Sequence, residues 1–275
     1  MHLHWRVRSD FTSWYAAALT AAGRRSSAVV PDEYWEAVDA ALRRAAGESG
    51  ERGERAAATG PPAAFWQQVA GTAAHQPDDL PPEAAVEATL ASWPEWAERE
   101  DSVLAAAHEL LARTRRRWPQ LEHELTLRSR PLCELWEACG PGLLHQIRRT
   151  APEADWQATC QVAWVYPLLG GAGWSCRGEG VACCEALLVN PHPGLPEVLR
   201  LAWRVVEAAV RRPSGDATDD ETWVARVVWA GQQLELVRGD AAGVAEALRE
   251  WLGRSSAEAV AWSRRWEESR DRQRE

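Results

Sequence analysis

Residues 196–209 read Pro-Glu-Val-Leu-Arg-Leu-Ala-Trp-Arg-Val-Val-Glu-Ala-Ala, and this stretch decides the fold class. After the proline, apolar residues return at Val198, Leu201, Ala202 and Val205. Spacings of three and four residues place these side chains on one face of an α-helix. The stretch therefore predicts an amphipathic helix that packs against other elements of the chain.

Helical signals of this kind recur along most of the sequence. The predicted helices cover 10–22, the segment after 31, 63–74, 81–93, 95–117, the segments after 150, 196 and 218, 240–253, and the segment after 257. Three of the starts have the spacing of a capping box, in which a hydroxyl and a carboxylate satisfy the first free amides of a helix. These boxes lie at 150–153, 218–221 and 255–258.

Two segments alternate between apolar and polar residues instead, which is typical of half-buried strands. They lie at about 2–8 and 121–130. The predicted fold class is therefore mostly α: a multi-helix bundle or a short irregular helical array, with at most a small two-stranded β element at these two segments.

The length of 275 residues is close to the upper limit for a single hydrophobic core. The segment at about 45–62 is rich in glycine and charge, and we expect it to be a mobile loop. We predict an N-terminal helical region, 1–120, that contains this loop, and a C-terminal helical region, 121–275. The sequence leaves open whether they form one domain together.

The composition excludes several classes of enzyme. All 31 basic residues are arginine, so the chain has no lysine for a P-loop, a pyridoxal Schiff base or a protein-kinase site. A GC-rich coding bias is the simplest explanation for this lack of lysine. No apolar run approaches the roughly 20 residues that span a bilayer, and the first residues lack the apolar core of a signal peptide. We therefore expect a cytoplasmic protein that does not enter a membrane.

The glycine-rich segment 170–180 is the place where we expect a site, if the protein has one. Backbone amides around Gly171 and Gly173 could turn toward an anion, with Arg177 as a second anion-binding group. The same arginine could lower the pKa of Cys176, which would then be a nucleophile with His145 or His192 as its base. The alternative is a surface loop that joins two buried elements.

The sequence favours no metal and no cofactor. All six cysteines lie between 133 and 184, but they contain no CxxC pair and read more simply as buried apolar residues. Two segments begin with His-Glu, at 108 and 123, but each lacks the second histidine that a helical zinc site needs.

Nucleic-acid binding is a further alternative, because arginine holds phosphates and tryptophan stacks on bases. Arginines cluster at 6–8, 113–117, 148–149 and 211–212. However, the net charge of −9 opposes attraction to a polyanion. The 17 tryptophans are spread over the chain and favour core packing over a localised binding cage.

These observations favour a non-enzymatic helical protein-interaction module, such as an adaptor, a scaffold or an accessory subunit, with another protein as its partner. One alternative is a cysteine-dependent enzyme, or a thiol or metal site, centred on 170–180. The other alternative is a nucleic-acid-binding protein, which the net charge disfavours.

Overall fold

The computed structural model describes residues 1–26, 30–46, 60–192, 194–211, 220–237 and 241–272. The fold is mostly helical, as expected. The helices are α1 (Ser9–Ala21), α2 (Asp32–Ala45), α3 (Ala63–His75), α4 (Glu83–Leu90), α5 (Pro94–Ala97), α6 (Glu100–Arg117), α7 (Leu121–Arg149), α8 (Glu197–Ala209), α9 (Asp220–Gln233), α10 (Ala241–Leu252) and α11 (Ser256–Arg272). The strands are β1 (His2–Val7), β2 (Asp155–Trp156), β3 (Thr159–Val165), β4 (Gly173–Cys176), β5 (Val181–Glu185) and β6 (Val210–Arg211).

Four of the strands form a sheet with the order β1-β3-β5-β4. Strands β1, β3 and β5 are parallel, while β4 runs antiparallel to β5. The register pairs Trp5 with Val162, and Val162 with Ala182. Strands β2 and β6 form a separate two-stranded antiparallel sheet.

The four-stranded sheet lies between two hydrophobic cores. Along β3, Val162 and Trp164 belong to the core made with α7 to α11, whereas Ala163 and Val165 belong to the core made with α1 to α4 and α6. A strand that is buried on both faces needs apolar residues at every position. The uninterrupted apolar run from Val162 therefore forms a strand in the centre of the molecule.

Helix α8 confirms the helix predicted after Pro196. Its apolar residues Val198, Leu201, Ala202 and Val205 are all buried, and the helix contacts β3, β4 and β5. It therefore covers one face of the sheet, so the stretch that predicted a packed amphipathic helix lies at the centre of the second core.

The predicted limit of two strands was wrong. The strand at 2–8 is confirmed as β1, but the segment 121–130 is the first part of α7. Leu121 and Leu125 are buried there, while Leu127 is 57% exposed. Leu121 and Leu125 therefore lie four residues apart on the buried face of a helix, and Leu127, which made the pattern look alternating, faces outward. Two of the additional strands, β3 and β5, come from the apolar runs on either side of the glycine-rich segment. Strand β4 lies within that segment, and β2 and β6 form the separate two-stranded sheet.

Of the three predicted capping boxes, the one at 255–258 is confirmed. The Ser255 side chain accepts from the amide of Glu258 at 3.3 Å, and the Glu258 carboxylate accepts from the amide of Ser255 at 3.1 Å. The box at 150–153 was wrong, since Thr150 ends α7 and its hydroxyl donates to the carbonyl of Ile147. Helix α9 begins at Asp220, and Thr218 lies outside the described residues.

Tryptophan packs the two cores, as its even spread predicted. Trp14 and Trp66 stack with ring centroids 5.7 Å apart in the first core. Trp5 and Trp164 stack at the same centroid distance against the second core.

Two other predictions concern the mobile loop and the boundary between the two helical regions. Most of the predicted mobile loop, 47–59, lies outside the described residues. The division at residue 120 stays a prediction. None of the described helices combines the length and the apolar composition that a membrane span requires.

Candidate functional site

The glycine-rich segment forms the connection between β3 and β5 and contains β4. Its amides do turn toward an anion, but that anion is the side chain of Glu185 at the end of β5. The carboxylate accepts from the amides of Leu169 at 2.7 Å, Gly171 at 2.6 Å and Ala172 at 3.0 Å. Glu185 is fully buried. The anion-binding loop that the glycines indicated is therefore occupied by a carboxylate of the same chain.

The two glycines singled out from the sequence have backbone roles in this loop. Gly171 has a φ of +128°, a conformation that side chains with a Cβ atom rarely adopt. Gly173 lies so close to β5 that a Cβ atom would overlap the carbonyl oxygen of Cys183. Both positions thus require glycine for the path of the chain.

Arg177 is also paired within the protein. Its guanidinium donates to the carboxylates of Glu207 at 2.7 Å and Asp220 at 2.6 Å. Glu207 is 3% exposed and accepts further hydrogen bonds from Ser175 and Arg204. The positive charge of Arg177 is therefore compensated by two carboxylates.

Cys176 is a buried thiol packed against α3. Its Sγ lies 3.3 Å from the carbonyl oxygen of Gln67, to which it donates. Burial, with a further contribution from the negative charge of Glu179, raises the pKa of Cys176 to about 12. The thiol is therefore protonated at neutral pH, and a thiolate nucleophile is disfavoured.

The two candidate bases lie on other elements. His145 is exposed on α7. His192 follows β5, and its Nδ1 atom lies 3.5 Å from the carboxylate of Glu250. Among the described residues no hydrogen bond joins either ring to Cys176, and no group of three or more histidine, cysteine, aspartate or glutamate side chains could hold a metal ion.

A different set of side chains comes together where α2, α6 and the end of β3 meet. We call it the arginine–aromatic surface, and it consists of Tyr34, Arg113, Arg116, Arg117, Trp118, Arg128 and Tyr166. The ring centroid of Trp118 lies 5.1 Å from that of Tyr34 and 4.6 Å from that of Tyr166. The guanidinium of Arg117 lies over Trp118, and that of Arg128 lies over Tyr166, 5.8 and 5.3 Å from the ring centroids.

A cavity of about 380 Å³ opens at one end of this surface. It lies between the start of α2, with Glu33 and Tyr34, and the end of α6, with Arg113, Arg116 and Arg117. Arg113 is paired with Glu109 at 2.5 Å. The guanidinium groups of Arg116 and Arg117 form no ion pair or hydrogen bond within the described part of the chain.

No family model, curated protein or solved structure matches this chain. What the arginine–aromatic surface can bind is therefore inferred from its own residues alone. Tyr166 directly follows β3, so the surface includes the carboxyl end of a parallel strand, which is the edge where open α/β sheets usually bind ligands. Trp118 and Tyr166 are half-buried.

The sequence contained a signal for the two unpaired arginines. An arginine on a helix commonly pairs with a carboxylate four residues earlier, as Arg113 does with Glu109. The positions four residues before Arg116 and Arg117 are Ala112 and Arg113. The contribution of the aromatic residues could not be read from the sequence, because Tyr34, Trp118 and Tyr166 are far apart along the chain.

Proposed function

We propose that this protein is a non-enzymatic binding module that captures an acidic segment of another protein on the arginine–aromatic surface. The observation that carries the proposal is the pair of uncompensated arginines, Arg116 and Arg117, at a cavity beside half-buried rings. Arginine, tyrosine and tryptophan are the residues that most often dominate the energy of protein interfaces.

The charges around the surface support an acidic ligand. The cavity wall has three arginines, of which Arg113 is paired with Glu109, and one carboxylate, Glu33. A guanidinium binds a carboxylate through two parallel hydrogen bonds, and an aromatic ring beneath it limits its motion. Because exposed charges act over about 8 Å at physiological ionic strength, this local positive charge attracts an acidic group despite the net charge of −9.

Two of the other three arginine clusters, those with Arg6 and Arg211, support a protein partner over a nucleic acid. Arg6 is paired with Asp78 at 2.7 Å, and Arg211 lies 3.8 Å from Asp155. A long polyanion needs a continuous positive path for its phosphates. Clusters whose charge is already compensated do not extend the arginine–aromatic surface into such a path.

The state of the glycine-rich loop favours binding over catalysis. Its amides are bound to Glu185, Arg177 is bound to Glu207 and Asp220, and Cys176 is a protonated thiol. The loop amides and Arg177, which the enzyme hypothesis needs, are therefore engaged inside the protein, and the thiol it needs is not a thiolate.

The test measures the binding of a fluorescein-labelled decaglutamate peptide by fluorescence anisotropy. The double variant Arg116→Gln with Arg117→Gln should weaken binding about tenfold or more, because charge-assisted hydrogen bonds are lost. The control is Arg264→Gln with Arg265→Gln, which removes the same charge from an exposed part of α11. It should leave the affinity within about twofold.

Two results would contradict the proposal. One is equal weakening by both double variants, which would mean that only the net charge matters. The other is tighter binding of a labelled single-stranded oligonucleotide of the same length, which would favour the nucleic-acid hypothesis.

A further inference from the structure

A larger cleft, of about 620 Å³, opens at the opposite edge of the central sheet. Its walls are the start of β1, the end of α7 and the segment 151–158, which leads into β3. Strand β3 has seven residues, so at about 3.3 Å per residue the cleft and the arginine–aromatic surface lie roughly 25 Å apart. The two places are separate sites.

Arg148 is the arginine in the wall of this cleft. Its guanidinium carbon lies 5.0 Å from the ring centroid of Trp156. The guanidinium has no ion pair or hydrogen bond within the described residues, and its buried Nε atom lacks an acceptor. The next residue, Arg149, donates to the side chain of Gln146 instead. Arg148 is therefore a cation that packs on an aromatic ring and has no carboxylate partner in the part of the chain that the structure describes.

The ring beneath Arg148 is itself fixed. Trp156 lies in β2, which pairs with β6, and its ring meets that of Trp223 edge-on at 5.9 Å. The amide of the next residue, Gln157, donates to the carbonyl of Ala209 at 2.9 Å. A guanidinium stacked on a rigid ring loses little conformational entropy when it binds an anion.

The carboxylates near the cleft have arginine partners of their own. Asp155, in the wall, lies 3.8 Å from Arg211, and Glu153 lies 3.9 Å from Arg226. Among the described arginines and carboxylates of the cleft wall, Arg148 is consequently the one without an ion pair.

We propose that this cleft binds a small organic anion, a carboxylate or a phosphate ester, whose anionic group pairs with the guanidinium of Arg148. The volume lies within the range of about 300–1,000 Å³ that is usual for sites of small molecules. The imidazole of His2, which also lines the cleft, supplies a hydrogen-bonding group for the rest of the ligand. This inference does not depend on the proposed capture of an acidic protein segment.

The test is isothermal titration calorimetry with four probes: succinate, citrate, inorganic phosphate and glycerol 3-phosphate. The first two represent carboxylates and the last two represent phosphates, so their ranking identifies the preferred anion. We expect Arg148→Gln to weaken the binding of the tightest-binding probe about tenfold or more, because the charge-assisted contact is lost. The matched control Arg149→Gln, which removes the same charge from the neighbouring exposed residue, should bind as the wild type does.

A second variant keeps the test decisive if Arg148→Gln unfolds. Arg148→Lys retains the charge but not the planar fork, so its affinity should lie between those of the wild type and the glutamine variant. The double variant at Arg116 and Arg117 should bind the probe normally, which separates this inference from the proposed function. No binding of any probe to the wild type, or equal losses in Arg148→Gln and Arg149→Gln, would overturn the proposal.

Discussion

The carboxylate of Glu185 accepts a hydrogen bond of 2.6 Å from the amide of Gly171, fourteen residues earlier in the chain. The same side chain binds the amides of Leu169 and Ala172, and its neighbour Arg200 donates to the carbonyl oxygens of Ala172 and Glu185. The glycine-rich loop is thus folded around a buried carboxylate.

We expect Glu185→Gln to lower the free energy of unfolding by about 2 to 3 kcal/mol. The glutamine side chain has one acceptor oxygen in place of two, and its amino group would face donors of the loop. Urea unfolding followed by circular dichroism measures the change. The control Glu134→Gln alters a glutamate that is 62% exposed and paired with Arg130, and it should change the stability little. Equal effects of the two variants would contradict the role of Glu185.

We also expect the cysteines to differ in reactivity. Cys133 and Cys139 are partly exposed on α7, whereas Cys160, Cys176, Cys183 and Cys184 are buried. Iodoacetamide at mildly alkaline pH should therefore label Cys139 first in the native protein, and Cys133 more slowly because burial raises its pKa to about 11. The other four should react only after unfolding in urea. Mass spectrometry of the digested protein reports each site. Labelling of native Cys176 as fast as that of Cys139 would favour the cysteine-enzyme hypothesis again.

The stability should fall as the pH rises from about 9 to about 12. Burial raises the pKa of Cys160 and Cys176 from 9.0 to about 12, and that of Tyr34 from 10.0 to about 12. In this window the unfolded chain loses protons that the folded protein keeps, so each group lowers the stability by about 1 kcal/mol per pH unit. Urea unfolding in a reducing buffer at a series of pH values measures the slope. Replacement Cys176→Ser removes one titrating group and should make the slope shallower; an unchanged slope would contradict the assignment.

A methyl group at residue 173 should destabilise the sheet. Because a Cβ atom there would overlap the carbonyl oxygen of Cys183, we expect Gly173→Ala to cost about 2 to 3 kcal/mol. Gly178 has a φ of +72° but open space around it, so Gly178→Ala should cost only roughly 1 kcal/mol. Thermal unfolding of both variants tests the order, and the reverse order would be inconsistent with the close approach of β4 to β5.

The capping box at the start of α11 should contribute measurably to the stability of the folded protein. Ser255→Ala removes the acceptor for the amide of Glu258, and we expect a loss of about 1 kcal/mol. The control is Ser256→Ala at the first position of the helix. Thermal unfolding compares the two variants, and a loss of the same size in the control would argue against capping.

The helices were predictable because their signals are local. The recurrence of apolar residues in α8 and the capping box of α11 lie within a few turns of one helix, so the sequence shows them directly. The strands β3 and β5 were not predictable, because a strand that is buried on both faces shows no alternation of apolar and polar residues. Its apolar run does not differ from that of a buried helix. In the segment 121–130, by contrast, a helix was mistaken for a strand. Leu121 and Leu125 have helical spacing, and the exposed Leu127 made the pattern look like the alternation of a strand.

The sequence by itself determined the helical character, the absence of lysine chemistry and the place of the glycine-rich loop. Only the tertiary structure decided what that loop binds and which arginines are left without a carboxylate. The physical reason is that ion pairs and amide hydrogen bonds depend on atoms within about 3 Å of each other. Arg177 pairs with Glu207, thirty residues away, whereas Arg148 lies over the ring of Trp156 and has no carboxylate partner among the described residues. No local periodicity encodes those distances, so the candidate sites became visible only once the chain was folded.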